Sequence, residues 1–88
     1  MMLIFDNDEL GYLRLVHDNP NGYVINVIKA GHVPYMLHKA TCKDISTDQR
    51  TNYTTTTYMK ICSLDRQASI NYGRKNSSNF NLCKRCRP

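Results

Sequence analysis

Tryptophan is absent from this 88-residue chain, phenylalanine occurs twice, and glycine and proline supply only four and three positions. With so few breakers, and no low-complexity stretch except the threonine run at 54–57, neither a disordered nor a collagen-like chain is expected. Long apolar runs are also missing. The opening Met1-Met2-Leu3-Ile4-Phe5 has no basic leader and meets Asp6 at once, which is too short for a secretory signal and far too short for a membrane span. These absences predict a soluble, cytoplasmic protein with no membrane contact. Nor does the chain contain a glycine-rich phosphate loop, a Ser/His/Asp set or paired catalytic carboxylates, so the reading leans away from an enzyme.

What remains is a modest apolar complement, 41% of residues, drawn mostly from Leu, Ile, Val and Tyr. A chain of this length forms one domain, 1–88, with one small core, near the size where burial only narrowly outweighs chain entropy. Such a domain needs a staple.

The residues 6–17 carry a helical pattern, with Asp6 or Asn7 as cap, Asp8 and Glu9 at the positive end of the dipole, and Leu10, Leu13 and Val16 at helical spacing. The run His17-Asp18-Asn19-Pro20-Asn21-Gly22 stops that helix. Residues 22–29, β-branched and apolar on both faces apart from Asn26, read as a central strand. After a turn at 30–34, residues 35–38 read as a second strand antiparallel to the first, with His38 and Cys42 at its exit. The polar stretch 43–57 is expected to be a surface loop, with 54–57 as an edge strand or tip. Residues 57–62 form a third strand, and Ser63 can cap a short helix, 64–72, ended by Gly73 and lined by Leu64, Ala68 and Tyr72. A basic polar loop then leads to the chain's last residues. His17 and His32 fall in turns, where they are expected to be solvated.

The staple is legible in the cysteines. Cys83-Lys84-Arg85-Cys86 is a two-residue-spaced thiolate pair that grips one tetrahedral ion from a tight turn, and zinc is the usual occupant. Four cysteines in a reducing compartment are more naturally metal ligands than disulfides. Cys42, Cys83 and Cys86 enter every reasonable solution, and the fourth ligand is His38 or Cys62. Local chelation beside Cys42 puts His38 first; use of every thiolate keeps Cys62 as the alternative, which otherwise reads as a small buried residue at a strand end. A filled site of this kind is closed and structural. Asp44 stands nearby, but one carboxylate beside a turn reads as a cap before it reads as a general base.

Charge is unevenly placed. Through Asp18 there are four acids against Arg14, net −3, whereas from Asn19 onward eleven Lys and Arg face three acids, net +8. A basic segment that contains the metal site suits a polyanion, nucleic acid and DNA first, although a solvated surface has the same composition. The candidate contacts are Lys39 and Lys43 beside the first ligand pair, Arg74 and Lys75 before the knuckle, and Lys84, Arg85 and Arg87 around it, with Tyr35, Tyr58 or Tyr72 as stacking partners.

The order of an N-terminal helix, Asn19-Pro20-Asn21-Gly22-Tyr23-Val24-Ile25-Asn26, Leu37-His38-Lys39-Ala40-Thr41-Cys42, Tyr58-Met59-Lys60-Ile61-Cys62 and a terminal Cys-x-x-Cys resembles a family of small uncharacterised bacterial zinc-binding domains, found alone or beside nuclease-type domains. The second half also resembles the metal-binding domain of the Ada methyl-phosphotriester repair proteins, in which a cysteine, three residues, a second cysteine, a strand, a helix and a Cys-Lys-Arg-Cys knuckle make a zinc site that docks on DNA. That resemblance implies His38, Cys42, Cys83 and Cys86 as ligands and puts His38 where the Ada pattern has its methyl-accepting cysteine. Imidazole binds zinc well but is not an activated thiolate.

Together these readings predict an α+β domain: an N-terminal helix, a short antiparallel sheet of about three strands, and a second helix before a C-terminal zinc knuckle. The expected function is a Zn2+-stabilised nucleic-acid-binding accessory module in DNA repair, restriction or phage-host conflict. A protein-interaction or inhibitor module with a basic face for an acidic partner is the second reading, and an Ada-like alkyl acceptor using Cys42 the third.

Overall fold

The β-branched run expected to be central forms strand β2 (Tyr23–Ile28), the middle member of a five-stranded sheet. In the computed structural model, which describes residues 2–29, 33–45, 53–54 and 57–88, it is preceded by β1 (Leu3–Phe5) and α1 (Glu9–Asp18). It is followed by β3 (Tyr35–Lys39), β4 (Tyr58–Ser63), α2 (Arg66–Asn76) and β5 (Phe80–Leu82). The strand order is β1-β4-β2-β3-β5. Strand β2 is antiparallel to both β3 and β4, β1 is antiparallel to β4, and β5 joins β3 in parallel. No helix among the described residues is long and apolar enough to cross a membrane.

The architecture is thus α+β, with two corrections to the sequence reading. The sheet has five strands and is mixed, where three antiparallel strands were expected, and the first element is a strand, not a helix. Both missed strands are three residues long, too short for alternation to register as a pattern.

Because side chains alternate along a strand, β2 buries Val24 on one face and Ile25 and Val27 on the other, and each face is covered by a helix. Tyr12 of α1 packs with Val24, Ala40, Cys42, Cys62 and Cys83. Ile70 of α2 packs with Ile25, Val27, Tyr35, Leu37 and Ile61. Two clusters therefore replace the single one expected, which is why β2 is apolar on both sides.

Helix α1 starts later than the pattern suggested, at Glu9, because the Asp8 side chain caps it by accepting from the Gly11 N–H at 3.0 Å. Its inward stripe is Tyr12, Leu15 and Val16, whereas Leu10 is 75% exposed. The large tyrosine ring sets the rotation, since it removes more apolar area from water than Leu10 would. Helix α2 is capped by Asp65, not Ser63, with the Ala68 N–H donating to Asp65 Oδ1 at 3.1 Å. Leu64 lies outside it and is 69% exposed. The helix also runs past Gly73 to Asn76, with Ser69, Ile70 and Gly73 as its buried residues.

Of the expected surface loop, 46–52 and 55–56 lie outside the described residues, as do turn residues 30–32 with His32. Tyr53 and Thr54 are not at the surface but buried. Their backbone N–H groups donate to the two Glu9 carboxylate oxygens at 3.0 and 2.6 Å, and the Asp8 N–H donates to Thr54 Oγ1 at 2.8 Å. Buried Lys60 completes the clamp, its Nζ donating to Tyr53 O at 2.8 Å and to Asn26 Oδ1 at 2.6 Å. Asn26, the one polar residue of the central strand, is thereby accounted for.

Candidate metal centre

His38 enters the site from β3, on the face that α1 covers. Beyond β3 the Cys42 N–H donates to Lys39 O at 3.0 Å and the Ile45 N–H to Cys42 O at 3.2 Å. These successive turns carry Cys42 back over the strand end. The second ligand pair arrives along β5. Its parallel ladder ends with the Cys83 N–H donating to Leu37 O at 2.9 Å, and the knuckle closes with the Arg87 N–H donating to Cys83 O at 3.2 Å. One strand pair thus delivers both halves.

The ligating atoms of His38, Cys42, Cys83 and Cys86 lie within 4.8 Å of one another, and this group can hold a metal ion. The Cys42 and Cys83 sulfurs stand 3.9 Å apart, which no disulfide spans. A tetrahedral ion with metal–sulfur bonds of about 2.3 Å sets its sulfurs about 3.8 Å apart. The donor set, three thiols and an imidazole, matches a closed structural site, and His38, Cys42 and Cys83 are all buried. The Lys39 N–H donates to Cys86 Sγ at 3.2 Å, an outer-shell bond of the sort that fixes a ligand's orientation and moderates its charge.

Register accounts for the position of Cys62. Val24 pairs with His38 on one side and with Cys62 on the other. The two candidates for fourth ligand therefore share a face of the sheet but stand two strand spacings apart, about 9–10 Å. Cys62 lies instead in the wall of a cavity of about 240 Å³ between α1 and the sheet, beside Leu15, Val16, Val24, Ala40 and Leu64. Burial pushes its thiol up to about 12, against the opposing effect of Lys60, so it is an inert apolar residue there.

In the metal-free protein the ligand thiols differ. Burial, aided by the thiols of Cys86 and Cys83, pushes Cys42 up to about 12 against a backbone hydrogen bond from Asp44. Burial also raises Cys83, but the backbone N–H groups of Cys86 and Arg85 and the thiols of Cys86 and Cys42 outweigh it and leave that thiol below its usual value. The Cys83 thiol donates to Asp44 Oδ2 at 3.8 Å, and Asp44 Oδ1 is paired with Arg85 Nε at 2.9 Å. Asp44, weighed in the sequence as a cap or a base, is the partner of a knuckle arginine.

The basic candidates divide into two groups. Lys39, Lys43, Lys84, Arg85 and Arg87 each adjoin a ligand in sequence and are exposed, and Arg85 is the one tied to Asp44. Arg74 and Lys75 occupy the last turn of α2 and are exposed. The tyrosines do not join them. Tyr35 and Tyr72 belong to the cluster under α2, and Tyr58 sits beneath the Lys60 ammonium, 5.5 Å from the ring centre. His17 is exposed, 3.3 Å from Asp18. Comparison with protein-family models, curated proteins and solved structures gives no match for this chain.

Proposed function

We propose that the chain is a zinc-stapled module whose metal centre presents a basic face to nucleic acid. Three thiolates and one imidazole in a tetrahedral arrangement select zinc among the common divalent ions, since magnesium and calcium require oxygen donors. Closed by four protein ligands, the ion is structural and contributes folding free energy, on the order of 10 kcal/mol in small zinc modules.

The observation that carries the functional reading is the crowding of cations around one ion. Lys39, Lys43, Lys84, Arg85 and Arg87 flank ligands whose donor atoms lie within 4.8 Å, and Asp44 neutralises Arg85 alone. Zinc with three thiolates carries a net −1, so the neighbourhood stays clearly positive. Fixed cations of this density favour a phosphate backbone through counterion release. The likeness to Ada-type domains points the same way, toward DNA beside zinc and an accessory role in repair, restriction or phage-host conflict. Its alkyl-transfer chemistry is the weaker reading, because Cys42 is 4% exposed and a methyl acceptor has to meet its substrate.

The test is affinity against salt. Binding of short DNA and RNA to the zinc-loaded protein should weaken steeply as salt rises, and the slope should shrink by about two for Lys84→Gln/Arg87→Gln, roughly one per phosphate contact removed. A protein that ignores nucleic acid at low salt, yet retains an acidic protein partner after nuclease treatment, would move the reading to the interaction module.

A further inference from the structure

Among the described residues, strand β5 is the last in the sheet order and pairs with β3 alone. The Tyr35 N–H donates to Asn79 O at 3.0 Å and the Cys83 N–H to Leu37 O at 2.9 Å, so residues 79 and 83 turn their backbone groups toward β3. With the two-residue period of a strand, Phe80 and Leu82 point their N–H and C=O groups the other way, out of the sheet. An unpaired edge of this kind is a row of hydrogen-bonding groups awaiting a partner.

The surroundings of that edge say which partner. Two shallow depressions run along it, one beside Arg74, Ser77, Ser78 and Asn81, the other beside Lys84, Arg87 and Pro88, and they meet at Leu82. Among the described residues three cations line this track, and no Asp or Glu side chain does. Asn81 is exposed and Leu82 is 40% exposed, so amide and apolar surface alternate with the charge. A duplex lying on so shallow a track meets it mainly with its phosphates. An unpaired strand offers phosphates to the cations, base edges to the outward amides and Asn81, and a base face to Leu82.

We infer that the outer edge of β5, from Arg74 past Leu82 to Arg87, is a binding track for single-stranded nucleic acid. This rests on the nucleic-acid reading above and names the form of the ligand and its path. An acidic peptide added as a sixth strand would use the same edge. The further exposed cations beside the candidate ligands, Lys39, Lys43 and Arg85, favour the longer polyanion.

Two variants and three probes decide the matter. Leu82→Pro deletes only an outward N–H, a replacement an edge strand tolerates when its inward bonds are untouched. Asn81→Glu puts an acid on the track from an exposed position and carries the test alone if the proline variant loses its zinc. The zinc-loaded proteins are titrated with a fluorescent polythymidine strand and with a duplex of the same length. The single strand should bind the parent about tenfold or more tightly than the duplex, and each variant should lose about tenfold in strand affinity with its zinc content unchanged. Equal affinity for strand and duplex, with both variants indifferent, overturns the single-strand inference and leaves the basic-face reading standing. Failure to bind either probe, with polyglutamate bound by the parent and lost in Leu82→Pro, overturns both and assigns the edge to an acidic peptide.

Discussion

His38 and Cys62 are separated in role by one residue between them, Val24, which pairs with each across the sheet. His38→Ala should therefore cost the protein a ligand and several kcal/mol of metal-coupled stability, on the order of the site's share in folding. Cys62→Ala should keep one bound zinc and lose only about 1 kcal/mol of packing; metal content by atomic emission and thermal melts check both. Acidity acts on the ligand shell with a definite sign. A thiol pushed up to about 12 by burial, as Cys42 is, must give its proton to solvent for its sulfur to bind the ion, so zinc binding releases protons and the apparent affinity falls as pH falls. Chelator competition at several pH values, or proton release in weak buffer, measures it. The cysteine spacing identified the knuckle, because two residues between thiolates is a local geometry. The chelate spacing to Cys42 put His38 ahead of Cys62, but only strand neighbourhood separates the two, since His38 joins the other three and Cys62 does not.

Elements were legible where their period was long enough to count. The central strand and its antiparallel partner stand where alternation and β-branching put them, whereas three-residue β1 and β5 carry no period. Gly73 shows why the second helix did not end at its glycine. A Cβ there would run into the Phe80 ring, so the residue is glycine for close packing of helix against strand and not as a terminator. Gly73→Ala gains about 1 kcal/mol of helix propensity but should lose about 1–3 kcal/mol to overpacking; chemical denaturation should show a net loss, and one near zero would mean that Phe80 can yield. Lys60, the buried cation of β4, stood out in no sequence pattern. Its ammonium serves Tyr53 O and Asn26 Oδ1, and Lys60→Met should strand those acceptors at about 1–3 kcal/mol each, opening segment 53–54 first. Amide exchange at Tyr53 and Thr54, whose N–H groups rest on Glu9, reads that opening locally.

At the scale of the molecule, the α1 side of the sheet is closed at one end by the three cysteines of the candidate metal site, which pack with Tyr12 and Val24. Removal of zinc by a strong chelator should thus loosen that layer and lower the melting temperature markedly; a protein that carries no metal and melts unchanged in chelator would remove the staple and the basic face organised on it. Asp6 is tied to Lys29 at 2.7 Å, Asp44 to Arg85, and Lys60 is buried, whereas Lys39, Lys43, Lys84 and Arg87 stand exposed beside the ligand cluster and Arg74 and Lys75 at the end of α2.

By itself the sequence determined what local rules govern: the helical and strand periods, the thiolate spacing that marks a metal knuckle, and the excess of cations in the same segment. Only the tertiary structure decided that Cys62 stands apart from the His38, Cys42, Cys83 and Cys86 group, that a parallel fifth strand carries the knuckle to β3, and which backbone groups that strand leaves facing outward. The reason is physical. Spacing along a chain fixes which side chains share one turn or one face of a strand, while strand order and register are set by burial across the whole sheet, where residues far apart in sequence become neighbours.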